Sequence, residues 1–89
     1  MFYIYVLRSK KDTKLYTGYT SNLKDRLRLH NEGKVVSTKN RFPFELIYYE
    51  ACLNQQDSTH REKYLKTAWG KRYLKSRLKN YLTGQSPLD

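Results

Sequence analysis

Two short tyrosine-bearing segments, Tyr3-Ile4-Tyr5 and Tyr16-Thr17-Gly18, constrain the fold of this chain more than any other stretch. Phe2 to Leu7 is β-branched and aromatic, the composition of a strand. Lys10-Lys11-Asp12-Thr13-Lys14 is polar and turn-like, and Leu15 to Thr20 reads as a second strand, so the two pair as an antiparallel hairpin. Side chains alternate along a strand, which puts Tyr3 and Tyr5 on one face. Gly18 removes a side chain inside the second strand and predicts a bulge or the close approach of another group.

Helical signals follow. Asn22 with Asp25 three residues on is a capping pattern, Leu23, Leu27 and His30 recur at helical spacing, and Gly33 can close the helix as C′. Lys34 to Arg41 is a polar, basic loop. Phe44 to Tyr49 reads as a third strand, with Pro43 at its entry, where a missing amide is tolerated. Asn54 and Asp57 repeat the capping spacing and open a helix to about Trp69. Gly70 then punctuates, and Tyr73, Leu74, Leu78, Tyr81 and Leu82 give one more amphipathic stripe. The expectation is an α+β fold, a small three-stranded antiparallel sheet packed by helices in the order ββαβαα. Residues 1–82 form a single domain in this reading, and 83–89, with Gly84 and Pro87, form a flexible tail.

Eighty-nine residues leave room for one modest core. Lys and Arg number 18 against 8 acids, a net charge of +10. A field of that sign favours polyanions, nucleic acid before an acidic membrane. Cys52 is the only cysteine, which excludes an intramolecular disulfide and any multi-cysteine metal site. No apolar stretch approaches membrane-spanning length, so a soluble cytoplasmic location is expected. Nothing resembles a recognition helix, a zinc finger or an RNA-recognition module. Contact with nucleic acid is therefore expected through backbone phosphates, from Lys34, Lys39 and Arg41 in the loop and from Lys66, Lys71, Arg72 and Lys75 in the later helices. Sequence preference would then come from substrate shape or from a protein partner that targets the chain.

Hydrolysing a phosphodiester requires an in-line nucleophile, neutralisation of developing charge and stabilisation of the leaving oxygen. Tyr5 and Tyr16 lie on neighbouring strands, so their hydroxyls can converge. Arg26 and His30 are one turn apart on a helix face, and a guanidinium there can clamp a phosphate bidentately. The missing carboxylate is best supplied by Glu62, from the helix after the third strand. Plainer readings exist for each: strand aromatics for the tyrosines, a solvated cation for Arg26, a cation meeting the helix dipole for His30. For Glu62 the plainer reading is an i,i+4 ion pair with Lys66, worth a few tenths of a kcal/mol.

From Phe2 to Lys66 the order and spacing of these residues resemble the GIY-YIG nuclease domain. The resemblance implies that Tyr5 ends the first motif and Tyr16 opens the second, the pair positioning or deprotonating the attacking water, with Tyr16 as base or base-partner. It implies that Arg26 stabilises the transition-state phosphate, that His30 carries a proton, and that Glu62 holds one Mg²⁺ or Mn²⁺ ion. Tyr19 stands where some members carry a lysine, and no asparagine follows shortly after Glu62. The implied function is a metal-dependent endonuclease acting on DNA rather than RNA, with structured or single-stranded substrates included. The alternative, motivated by those two departures, is a non-catalytic basic nucleic-acid-binding module that keeps the nuclease fold.

Overall fold

A computed structural model describes residues 1–84. The hairpin expected from the tyrosine segments forms β1 (Phe2–Ser9) and β2 (Leu15–Thr20), and β3 (Phe44–Cys52) pairs with the other side of β1. All pairings are antiparallel, in the order β2-β1-β3. The central strand is covered on both faces, which is why its sequence is apolar throughout: Ile4, Tyr5, Val6 and Leu7 are each at most 1% exposed.

Each face has its own cover. Tyr5, Leu7 and Phe44 pack with Tyr16, Leu23, Leu27 and Leu46, beneath α1 (Leu23–Asn31). Ile4 and Val6 pack with Leu65 and Leu74, beneath α2 (Gln55–Leu65) and α3 (Ala68–Arg77). The sheet is thus sandwiched, and Tyr5 and Tyr16 present their phenols to the face that α1 covers.

The helix starts follow the capping residues. The Asn22 side chain accepts from the Asp25 amide at 3.1 Å, and Asn54 does the same for Asp57 at 3.0 Å. Gly33, at φ 72°, takes the left-handed conformation just beyond α1. The helix expected to run to Trp69 instead ends at Leu65. Thr67 then caps a new helix, its hydroxyl accepting from the Gly70 amide at 3.2 Å, so Trp69 belongs to α3.

Gly70 is not punctuation but a crossing point. A Cβ there would lie 2.2 Å from the Tyr64 carbonyl oxygen and 2.4 Å from Leu65 Cα, so only glycine lets α3 cross the end of α2 this closely. The expected final stripe breaks at Leu78, leaving Tyr81 and Leu82 in a short α4 (Lys79–Thr83). Thr83 is helical and Gly84 closes it at φ 76°; the rest of the expected tail, 85–89, lies outside the described residues.

The rotation of α2 is fixed by its neighbours. Arg61 grips Glu50 of β3 with two hydrogen bonds of 2.9 and 3.0 Å, and its guanidinium lies 4.9 Å from the Tyr73 ring centre. Tyr48 donates to the same carboxylate at 2.8 Å. Those bonds hold Glu50 below the usual carboxylate range. The neighbouring residue on α2 is Glu62. Among the described residues no helix is long and apolar enough to cross a membrane.

Candidate active site

Tyr5 is the hub. In β1 it sits opposite Gly18 of β2, and its ring lies across that glycine: a Cβ at Gly18 would fall 2.4 Å from the Tyr5 hydroxyl oxygen. The close approach expected at Gly18 is therefore made by Tyr5 itself. The Gly18→Ala substitution is expected to push the phenol from its place, destabilise the fold by about 1–3 kcal/mol and cut any activity that depends on Tyr5. Thermal unfolding beside a cleavage assay checks both.

The Tyr5 hydroxyl meets α1 twice. It shares a hydrogen bond of 2.9 Å with His30 Nε2, and Arg26 Nε donates to it at 3.4 Å. On the other side of the imidazole, Nδ1 lies 2.7 Å from Thr38 Oγ1. Burial raises the affinity of Tyr5 for its proton, against the lowering effect of the Arg26 hydrogen bond. Tyr16 pairs with Leu7 one step along the hairpin, on the same face, and its ring packs edge-on to His30 at 5.2 Å. Ser37 Oγ donates to the Tyr16 hydroxyl at 3.4 Å.

His30 is fully buried, which overturns the plainer reading of it as a helix-end cation. Burial, aided by the charge of Arg26, brings its pKa down to about 4, so the ring is neutral at physiological pH. This has a measurable sign. The unfolded histidine binds its proton below about 6.5 and the folded one below about 4, so stability falls as pH drops through that window. The loss is on the order of 2–3 kcal/mol. Paired carboxylates lose their contribution lower, Asp12 with a pKa of about 2. The slope of urea stability between pH 6.5 and 5 therefore reads His30, and a flat profile there would contradict its burial as a neutral ring.

Arg26 differs from the arginines around it. Arg28, Arg41 and Arg61 are each ion-paired, to Asp25 and Glu32, to Asp12 and to Glu50. Arg26 is half-buried and meets no carboxylate among the described residues, so its guanidinium keeps its remaining donors for an anion.

Glu62 arrives from the opposite face of the sheet. Its carboxylate, with a side chain only 14% exposed, is ion-paired to Lys66. The Lys66 ammonium in turn lies 5.9 Å from the ring centre of Tyr16. Glu62 is also near enough for its charge to add to the raised proton affinity of Tyr5. No hydrogen bond joins Glu62 directly to either phenol among the described residues. Four of the candidate residues thus form one cluster, Tyr5, Arg26 and His30 bonded together and Tyr16 packed edge-on against His30, and Glu62 borders it through its ion pair with Lys66.

The basic residues divide. Lys34 pairs with Glu32 at 3.0 Å. Arg41 binds Asp12 at 2.8 Å and the Lys14 carbonyl at 3.2 Å, tying the loop to the hairpin turn rather than facing solvent as a free cation. Lys39 is exposed, with no ion pair among the described residues. Arg72 stacks over the exposed Trp69 at 4.5 Å. Lys66, Lys71 and Lys75 rim a cavity of about 520 Å³ floored by Leu15, Leu65 and Leu74. Lys66 belongs to both this cavity and the tyrosine cluster.

Comparison with known proteins accounts for this arrangement. The GIY-YIG catalytic domain matches residues 1–75. The chain belongs to the GIY-YIG domain family. It is 42% identical over 67 residues to a UPF0213 protein of Clostridium perfringens, covering 74% of this chain and 71% of that one. A UPF0213 protein of Pediococcus acidilactici is 45% identical over 77 residues, covering 83% and 78%. The solution NMR structure of a UPF0213 protein from Bacillus halodurans shares the fold with a TM-score of 0.53 and 32% identity, over 85% of this chain and 84% of that one. The GIY-YIG fold, with its sheet of three antiparallel strands and helices on both faces, is thus the one expected from the tyrosine segments.

Two participants carried no signal in the sequence. Ser37 and Thr38 lie in the loop read as a basic surface, yet they touch Tyr16 and His30. The inward direction of His30 was legible, since it continues the stripe of Leu23 and Leu27.

Proposed function

We propose that this chain is a metal-dependent endonuclease that hydrolyses phosphodiester bonds in DNA, single-stranded or branched forms included. The observation that carries this reading is an arginine without a carboxylate partner among the described residues, hydrogen-bonded to a buried phenol that also feels the charge of a largely buried glutamate. Family membership supplies the nuclease class; metal, substrate and residue roles are the proposal.

In this reading Arg26 holds the scissile phosphate and neutralises charge that develops on its oxygens. Tyr5, fixed by His30 over Gly18, keeps Arg26 in place. Tyr16 is half-exposed and orients the attacking water, accepting its proton or passing it on. His30, neutral and buried, can take or give a proton without carrying a resident charge.

Glu62 is the residue that would hold a divalent ion. Among the described residues no three His, Cys, Asp or Glu side chains gather as a metal cage. A single hard carboxylate suits Mg²⁺ or Mn²⁺, which keep most of their waters and take substrate phosphate as a further ligand. The ammonium of Lys66 beside that carboxylate indicates that a positive charge is accommodated there. A bound ion would supply Lewis-acid stabilisation of the leaving oxygen.

The lysines around the 520 Å³ cavity favour a binding role for that face, with the strand crossing Lys71 and Lys75 as it leaves the cluster. On their own they also suit the alternative, a module that binds without cutting. The two readings separate in one assay: labelled single-stranded, duplex and forked DNA, and RNA of the same sequence, each with Mg²⁺ and with a chelator. Metal-dependent cleavage of DNA is expected. Salt-sensitive binding with no cleavage of any substrate would leave the binding module standing.

A further inference from the structure

We propose that α3 carries a contact for an unpaired nucleobase, which stacks on the open face of Trp69 while the adjoining phosphates lie on Arg72 and Lys75. Charge is the first observation behind it. Residues 63–84 hold seven Lys and Arg and no Asp or Glu. Lys66 pairs with Glu62, but Lys71, Arg72 and Lys75 are exposed and meet no carboxylate among the described residues. A polyanion is the partner that such a surface fits.

Trp69 adds an aromatic face to that charge. It is 66% exposed, while Gly70 and Leu74 of the same helix are buried against the rest of the fold. The Arg72 guanidinium lies over the indole, 4.5 Å from its centre, and so occupies one face of the ring. Among the described residues no other cation or aromatic ring lies against the indole, which leaves the second face open. The guanidinium restrains the indole, so less freedom is lost when a base stacks on it. Every base has a π-face, and stacking on an aromatic side chain tolerates any sequence. Inside a duplex the neighbouring bases cover both faces, so the contact selects an unpaired nucleotide.

The indole also stands in the right place. Trp69, Arg72 and Lys75 follow one another at intervals of three and form one ridge of α3, about 9 Å from end to end. Lys75 lines the cavity of about 520 Å³ together with Lys71 and Lys66, and Lys66 is the ion-pair partner of Glu62. The ridge therefore prolongs a basic path that starts beside Glu62. An acidic membrane fits less well. Leu74 is buried and Tyr73 is engaged by Arg61 at 4.9 Å, so Trp69 has no broad apolar face beside it to insert.

The contact deepens the nuclease reading, from which it takes the direction of the strand, and its test keeps the two apart. Trp69 is the only tryptophan in the chain, so intrinsic fluorescence reports this one indole. With chelator present to prevent cleavage, the full chain is titrated to saturation with oligothymidine, an abasic strand of equal phosphate number, and phosphatidylserine vesicles. Oligothymidine is expected to quench the indole, and the abasic strand to bind without quenching it. By anisotropy of the labelled strands, Trp69→Leu should bind oligothymidine about tenfold more weakly, the effect of one base–aromatic stack. Its affinity for the abasic strand should match that of wild type, and Trp69→Phe should keep most of the affinity for both. Equal quenching by the two strands, or none, overturns the proposal, as does an equal loss of affinity for both. A blue shift with vesicles and no response to oligothymidine overturns it in favour of a membrane surface. Should the leucine variant fail to fold, the wild-type titration still decides. Base-dependent quenching in a chain that cuts nothing refutes the nuclease reading and leaves the contact standing. Cleavage by a chain whose indole never responds does the reverse.

Discussion

Replacing Arg26 by alanine lowers the single-turnover cleavage rate by about 10²–10³-fold, equivalent to about 2.7–4 kcal/mol, the loss typical of one donor that stabilises transition-state charge. The same change costs the fold little. Arg26 is half-buried, with one long side-chain bond to Tyr5 and no ion pair to break among the described residues. The melting temperature should therefore stay near that of wild type. Lysine at this position recovers only part of the rate, because an ammonium cannot grip two phosphate oxygens in one plane. If Arg26 were merely a binding cation, alanine would weaken affinity and cleavage alike, by a factor that shrinks with salt. Measuring affinity and rate on one labelled strand separates the two.

Glu62→Gln is expected to remove more. The substitution keeps the shape and loses the charge, so a divalent ion would no longer be held against the phosphate. Lewis-acid stabilisation is worth several kcal/mol, and about 4 kcal/mol is a thousandfold in rate. The ion pair with Lys66 is an i,i+4 pair with a half-exposed lysine, worth only a few tenths of a kcal/mol. Stability is thus expected to hold while cleavage disappears and Mn²⁺ binding, followed by paramagnetic broadening, is lost. A glutamine variant that still cuts at the wild-type rate would assign Glu62 to the ion pair alone.

Local signals made most of the fold readable. Alternation and aromatic content gave the strands, and Asn22 and Asn54 gave helix starts because a cap is a bond between residues three apart. What failed depended on distant partners. Thr67 caps α3 only because α2 has ended at Leu65, and the role of Gly70 exists only where two helices cross. The Asp12 partner of Arg41, far back in the hairpin turn, has no local signal either.

The site was legible in proportion to charge and aromaticity. Tyr5, Tyr16, Arg26, His30 and Glu62 stand out because their chemistry is rare and their order is distinctive. Ser37 and Thr38 do not, since small hydroxyl residues in a loop have no periodicity and mark a site only once the loop is folded onto it. Lys66 was read as a phosphate contact, and the fold sets it beside Glu62 and the Tyr16 ring as well. The His30 stripe gave the inward direction of the ring, and burial among the leucines is what leaves the imidazole neutral.

The central claim is that Arg26 and Glu62, brought from opposite faces of the sheet, act on one phosphate. The most direct measurement is the single-turnover cleavage rate of the Arg26→Ala, Glu62→Gln double variant beside both single variants. Residues working as a unit lose their function together, so the double variant should cut no more slowly than the worse of the two. Losses that simply multiply would mean that the guanidinium and the carboxylate act independently, and would contradict a shared site.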